Sequence, residues 1–366
     1  MAAAQESSKV CEAFPMKSGD GPKSYAKNST FTSREAVDVA KQLIVKEIAE
    51  KLDIDILLSS KSNTFHIADL GCSTGPNTFS AVEGILEAVQ LKYQSQMMNS
   101  QVPEFQVFFN DHTTNDFNML FKSLPQNRPY YAVGVPGSFY GRIFPNASIH
   151  VVHSSFSLHW LSRVPKQVVD RNSPAWNKGR IQYSNSTDEV VRAYEAQFAE
   201  DMECFLHARA QEIVHGGLMV IIIPGRPNGS SHSDSVANAT LLLVGSCLMD
   251  MAKEGVLLEE KVDSFNLPMY YMSPQELEAA VEQNGFFSIE RLEYLPRVPV
   301  DDTVSEQLAS HLRAALEGLI KQQFGEEILD ELFDRYRKKV EEQLSILEIE
   351  SGKPTHFLAA LKRKAN

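Results

Sequence analysis

Residues 65–79 read FHIADLGCSTGPNTF. Ile67, Ala68 and Leu70 make an apolar strand around Asp69, an acid at the strand's end. Gly71 to Gly75 is a turn of small residues. Pro76 suits a first helical turn, where a missing amide hydrogen leaves no bond unmade. Val82, Ile85, Leu86 and Val89 then recur three and four apart, the spacing of a helix with one apolar face. Strand, glycine turn and helix is how an α/β sheet receives a nucleotide-like ligand at its carboxyl edge.

On the N-terminal side, residues 1–16 read as a mobile leader. GDGPKSYAKNSTFTS (19–33) is ordered-loop chemistry around Tyr25. Thr32 with Glu35 fits a capping box, and Ala36, Ala40, Leu43, Ile44 and Ile48 predict a helix to about Leu52. On the C-terminal side, Phe105–Phe109 is a second strand that closes on Asn110-Asp111. An acid at the tip of strand two commonly holds a ribose hydroxyl pair. Asn115-Asp116 opens a helix, and Asp188–Ile213 is a longer one. Tyr130–Val135, Ile149–His153 and Leu218–Ile223 are strands, the last fully apolar as a buried parallel strand should be. The alternation lapses over 225–265, a glycine- and serine-rich loop and a helix at Leu241–Met251. Pro274–Asn284 is a helix and Phe286–Leu295 a strand. Residues 303–345 are helical, and Phe357–Leu361 closes the chain as a strand. The expected fold is α/β, a doubly wound Rossmann-like sheet of six or seven strands with an α-helical cap. The core is assigned to 17–224, 266–300 and 352–366, and the cap to 225–265 and 301–351.

The bulk properties narrow the partners. The chain has 366 residues, 43% hydrophobic and 22% charged, an ordinary globular balance. A net charge of −12 argues against a broad nucleic-acid surface. The leader lacks the apolar core of a signal peptide, and no stretch reads as a bilayer span. A cytoplasmic protein without membrane or nucleic-acid partners is expected. Cys11, Cys72, Cys204 and Cys247 are scattered without a CxxC pair, so free thiols are expected. The five Asn-x-Ser/Thr sites, at Asn28, Asn146, Asn185, Asn228 and Asn238, read as turn chemistry.

Three nucleotide readings compete for the turn. A P-loop needs a glycine-framed Lys-Ser/Thr, and none follows the strand. A dinucleotide turn needs GxGxxG so that a pyrophosphate can approach the helix amides. Here the order is Asp69-x-Gly71-x-x-x-Gly75-Pro76, with the acid before the first glycine. A carboxylate there repels a pyrophosphate and welcomes a cation or amino group. S-adenosylmethionine offers a sulfonium, an α-amino group and a ribose that Asp111 could hold.

IADLGCSTGPNTF (67–79), NDHTTNDFN (110–118), GVPGSFYGRIFP (134–145) and SSFSLHWLSRVP (154–165) together resemble the plant SABATH methyltransferases. SYAKNS (24–29), RAQEIVHGGLMV (209–220) and FNLPMYYMSP (265–274) extend the likeness from Met16 through the C-terminus. That family methylates small carboxylic acids and, in one branch, ring nitrogens of xanthines. The resemblance implies S-adenosylmethionine as cofactor, S-adenosylhomocysteine as product, and a homodimer. It implies cofactor contacts from Tyr25, Ser29, Asp69, Gly71, Asn77, Asp111 and His112. Ser138 and Phe139 fall at the adenine contacts, and Ser155, Phe156 and Ser157 along the cofactor's edge. His159 and Trp160 match the pair whose N–H groups point at the substrate carboxylate. Tyr25, Thr32, Phe156, Leu241, Tyr270, Leu312 and Phe333 complete the implied substrate pocket. A divalent-cation site of some relatives, Mg²⁺ by its oxygen donors, would fall on Asn177, Asp263, Phe265 and Asn266.

Two positions depart from the acid-methylating pattern. Thr32 stands where many members carry a carboxylate-contacting glutamine, and Leu241 where others place an aromatic or polar group. The pocket therefore reads as apolar, for an aliphatic or terpenoid-like acid, with a xanthine N-methyltransferase as the alternative. A non-catalytic binder of a small acid and an NAD-dependent dehydrogenase are the readings from other classes. Plain structural readings stand beside each assignment. Thr32 is a helix cap, His159-Trp160 a packed core pair, Asp69 a strand-end turn acid. Leu241 and Leu312 are buried helix faces, and Asp263 and Asn266 are turn formers.

Overall fold

Seven strands form one sheet in the computed structural model: β1 (Thr64–Leu70), β2 (Glu104–Asp111), β3 (Tyr131–Pro136), β4 (Ile149–Ser155), β5 (Ile213–Pro224), β6 (Phe287–Tyr294) and β7 (His356–Arg363). The spatial order is β3-β2-β1-β4-β5-β7-β6. The first five run parallel, while β7 is antiparallel to both β5 and β6. Order reverses between β1 and β4, so a crevice opens beyond the carboxyl ends of these two strands. The described residues are 14–52, 64–96, 102–296, 303–343 and 355–365, with the backbone alone for 30–38. Cys11, the Thr32 side chain and the cap boundaries near 300 and 351 lie outside them.

The helices are α1 (Tyr25–Asn28), α2 (Thr30–Lys51), α3 (Pro76–Gln96), α4 (Phe117–Lys122), α5 (Asp188–Glu212), α6 (Val236–Lys253), α7 (Glu259–Asp263), α8 (Pro274–Asn284), α9 (Val304–Phe324) and α10 (Leu329–Glu342). Strand alternation decides what each layer buries. Leu218, Val220 and Ile222 of β5 face one core, with α2 and α3. Met219, Ile221 and Ile223 face the other, with α5 and α8. A third cluster joins α6, α9 and α10 to Phe265, Leu267, Met269 and Tyr271 and forms the cap.

Three local expectations change. Tyr25 lies in a one-turn helix rather than a loop, and α2 begins at Thr30 after Ser29, so Thr32 is inside the helix and not its cap. The helix predicted at Leu241–Met251 starts earlier, at Val236, where Ser235 caps it by accepting the Asn238 amide. Against the expectation that no stretch spans a bilayer, this α6 is long and apolar enough to cross one by length and composition alone. Its apolar side chains enter the cap core, and 44% of the helix is buried.

Candidate active site

The crevice at the end of β1 is a cleft of about 510 Å³, part of it open to solvent. Tyr25, Asp69, Gly71, Asn77, Ser155 and Phe156 line it among the residues expected from sequence. Ser29 adjoins it by accepting a hydrogen bond from the Asn77 amide at 3.0 Å. Gly71 has φ +81°, and a Cβ there would stand 2.0 Å from Ser157 Oγ. Only glycine permits this close approach of the turn to the segment after β4. Ser73 and Phe156 also hold positive φ, 50° and 54°. Strain of this kind concentrates where a site must be held in one shape.

Asp111 ends β2 with both carboxylate oxygens anchored. Its Oδ2 accepts the Ser73 amide and its Oδ1 the His112 amide, each at 2.7 Å. Burial raises its pKa against those bonds, and burial lowers that of His112. Tyr25 is pushed up to about 12 by burial, then by the Asp111 charge, so it stays a neutral phenol. The loop after β3 is pinned by Asn110, whose amide donates to Val135 O at 2.8 Å and Gly137 O at 2.9 Å. Ser138 and Phe139 follow, with the Phe139 ring near the Gly71 turn.

Asp69 is more committed than its sequence suggested. One oxygen accepts from the Thr78 hydroxyl, and the other contacts His153 Nδ1 at 2.7 Å. Parallel register sets Asp69 beside His153 on adjacent strands. A carboxylate only accepts, so Nδ1 donates. His153 Nε2 is then left buried without a protein partner. Sequence reasoning missed His153; its one signal was an imidazole in the apolar run IHVVHSS.

A group of aromatic and imidazole rings extends from the cleft. Phe156 meets His356 at 5.1 Å and Tyr25 meets His311 at 6.1 Å between centroids. His159 stacks on Tyr271 at 5.6 Å and lies 5.8 Å from Trp160. Burial, then the His311 and His356 charges, takes the pKa of His159 down to about 3, so it is neutral near pH 7. Its Nδ1 is buried without a protein partner. Trp160 leans on the cap cluster that contains Leu241, Leu312 and Phe333. Its outer face stacks on Phe14 at 6.0 Å. Phe14 falls in the stretch read as leader.

The Tyr270 amide donates to His159 O at 2.8 Å, but its side chain turns away from this group. Its hydroxyl bonds Glu276, and its ring stacks on Phe198 and Tyr183 in a different core. Neighbours in extended chain face opposite sides, so Tyr271 takes the place beside His159. The four residues expected to hold Mg²⁺ lie on neighbouring loops, and three of their side-chain oxygens meet protein donors. Asn177 donates to Asn266 Oδ1 at 2.6 Å and accepts from Ser186 at 2.6 Å, while Asp263 accepts the Gly179 amide at 2.8 Å. Only one anionic side chain is among them. These bonds clasp two loops.

The donor set of the cleft does fit S-adenosylmethionine. Asp111 offers lone pairs for a ribose, and the orphaned Ser73 Oγ, Ser155 Oγ and His153 Nε2 are buried near by. Comparison with known proteins agrees. Residues 11–364 match the family model of the SAM dependent carboxyl methyltransferases. A loganic acid O-methyltransferase of Catharanthus roseus is 48% identical over 97% of this chain and 95% of its own. A farnesoic acid carboxyl-O-methyltransferase of Arabidopsis thaliana is 41% identical over 96% and 99%. A 3,7-dimethylxanthine N-methyltransferase of Camellia sinensis is 38% identical over 97% of each. A solved loganic acid methyltransferase with S-adenosylhomocysteine superposes with a TM-score of 0.91, covering 96% of this chain and 99% of that one. The chain belongs to the S-adenosylmethionine-dependent carboxyl methyltransferases.

Proposed function

We propose that this chain esterifies a small acid with an apolar body, aliphatic or terpenoid-like, using S-adenosylmethionine. The observation that carries the substrate reading is a neutral, buried His159 beside Trp160, backed by the apolar cap residues Leu241, Leu312 and Phe333. Bound S-adenosylmethionine supplies an electrophilic methyl group, whose C–S electron pair stays on sulfur as the new O–C bond forms. Asp111 takes the ribose hydroxyls, and Phe139 offers an apolar face for adenine. Asp69 orients His153, whose Nε2 accepts from the α-ammonium.

The acid is already ionised at pH 7, so no general base is needed. His159 and Trp160 donate N–H bonds to one carboxylate oxygen and aim the other. Carboxylate charge disappears as the methyl group transfers. A cationic imidazolium would hold that charge most tightly before reaction and oppose its loss. Neutral donors orient it at a lower energetic penalty. The apolar walls exclude water, which strengthens the attraction between the two reacting charges.

The test is a panel of loganic acid, farnesoic acid, aromatic acids and xanthines with labelled cofactor. Esters of apolar-bodied acids are expected; products from xanthines alone would overturn the reading. His159→Ala should lower kcat by about 100-fold while S-adenosylhomocysteine affinity changes less than threefold. Near-full turnover in that variant would remove the carboxylate role. A cytosolic homodimer belongs to the same proposal, to be checked by light scattering and fluorescent-fusion imaging.

A further inference from the structure

Helix α5 carries three charged side chains that are almost wholly buried: Asp201, Arg209 and Glu212. Each is consumed by a loop of the site. Asp201 Oδ2 accepts the Ser162 amide at 2.7 Å, and its Oδ1 accepts the Ser162 hydroxyl at 2.6 Å. Ser162 stands two residues beyond Trp160. Eight residues further along the helix, Arg209 donates to Phe139 O and Gly141 O, both at 2.9 Å. Glu212 Oε1 accepts the amides of Ile143 at 2.6 Å and Phe144 at 2.9 Å, and Glu212 pairs with Arg209 at 2.6 Å. The last helical carbonyls, of Gln211 and Glu212, accept Ala147 and Ser148.

We propose that α5 is a positioning element, in which Asp201 sets the acceptor loop and the Arg209–Glu212 pair sets the cofactor loop. The proposal rests on the reading that Phe139 faces the cofactor and His159-Trp160 the acid. Charges buried this deeply tolerate little displacement, because a lost partner leaves an uncompensated charge. The contacts therefore define one loop geometry rather than a range. The two anchor points are about 12–16 Å apart along a rigid helix. Methyl transfer needs this fixed spacing, since a misplacement of about 1 Å can lower the rate by about 100-fold. Tyr140 adds a strut between the loops, its hydroxyl bonding Trp160 O at 2.5 Å.

Full-length Asp201→Asn, Ser162→Ala and Glu212→Gln test this, with ester formation on the best acid of the panel and S-adenosylhomocysteine affinity by calorimetry. Asp201→Asn places an amide donor against either the Ser162 backbone amide or the Gln197 side-chain amide, both of which donate to Asp201. It should lower kcat at least tenfold while S-adenosylhomocysteine Kd stays within twofold. Ser162→Ala removes one of the two bonds to Asp201, with the 3.4 Å contact from Gln197, and should lower kcat at least threefold with the same unchanged Kd. Glu212→Gln places a donor against Arg209. It should raise Kd at least fivefold, with kcat at saturating cofactor within threefold. Should Asp201→Asn not fold, Ser162→Ala decides the acceptor-loop arm by its own threefold criterion; should Glu212→Gln not fold, Arg209→Lys is read in its place by the same criteria. Parallel loss of kcat and affinity in both groups, or unchanged constants with fewer active molecules, overturns the proposal as mere scaffolding. A parent protein that esterifies no acid sinks the proposed function instead, and the affinity arm then still decides the role of Glu212.

Discussion

Asp69 shows what a single residue reveals and conceals. Its place before Gly71 marked a turn that welcomes positive charge, but its contacts come from β4 and α3. Gly71 is read more simply. Gly71→Ala would bring Cβ against Ser157 and hold φ near +81°. The expected result is a loss of stability of about 2–4 kcal/mol in urea titration and no measurable S-adenosylhomocysteine binding. His159 carries a pH prediction with a definite sign. Its folded pKa, about 3, lies below the ordinary value of 6.5. The unfolded chain therefore binds more protons between those values, and stability falls as pH drops from 6.5 toward 3. Melting temperature should decline from pH 7 to 5, less steeply in His159→Asn. Above that loss, kcat should show no inflection near pH 6.5, because His159 stays neutral; an inflection there that vanishes in His159→Asn would refute this.

At the scale of elements, local periodicity located strands and helices well, because apolar spacing is a local property. The capping signal at Thr32 and Glu35 misplaced the helix start, since Ser29 and the one-turn α1 settle where α2 begins. The segment 14–17 is tied to α9, with the Lys17 amide on Ala314 O at 2.9 Å and the Lys17 ammonium on Glu317. This brings Phe14 onto Trp160. Phe14→Ala uncovers one face of the indole and should raise the KM for the acid about three- to tenfold, with the cofactor KM unchanged, in steady-state assays. A shift confined to the cofactor KM would show that Phe14 serves the other ligand.

The whole molecule brings the cleft and the cap together. The sheet holds the cleft at its switch point, the cap leans on Trp160, and α5 bonds loops from both sides. A ligand that binds only the folded state stabilises it by mass action. S-adenosylhomocysteine at 100 times its Kd should raise the melting temperature by about 3 °C. No rise in differential scanning fluorimetry would contradict the assignment of the cleft.

The sequence alone determined the alternation of strand and helix, the glycine turn, the acid at the end of β2 and the family. These are written in short-range spacing and in motifs of consecutive residues. Tertiary structure alone decided that Asp69 is paired to His153, that the Tyr271 ring rather than that of Tyr270 stacks on His159, and that Asn177 bonds Asn266. It also brought Phe14 onto Trp160 and set three buried charges of α5 against two loops. Each depends on strand register, on which side of an extended segment faces the core, or on contacts between residues far apart in the chain. Local spacing does not encode those relations; they exist only once the sheet, the cap and α5 are packed together.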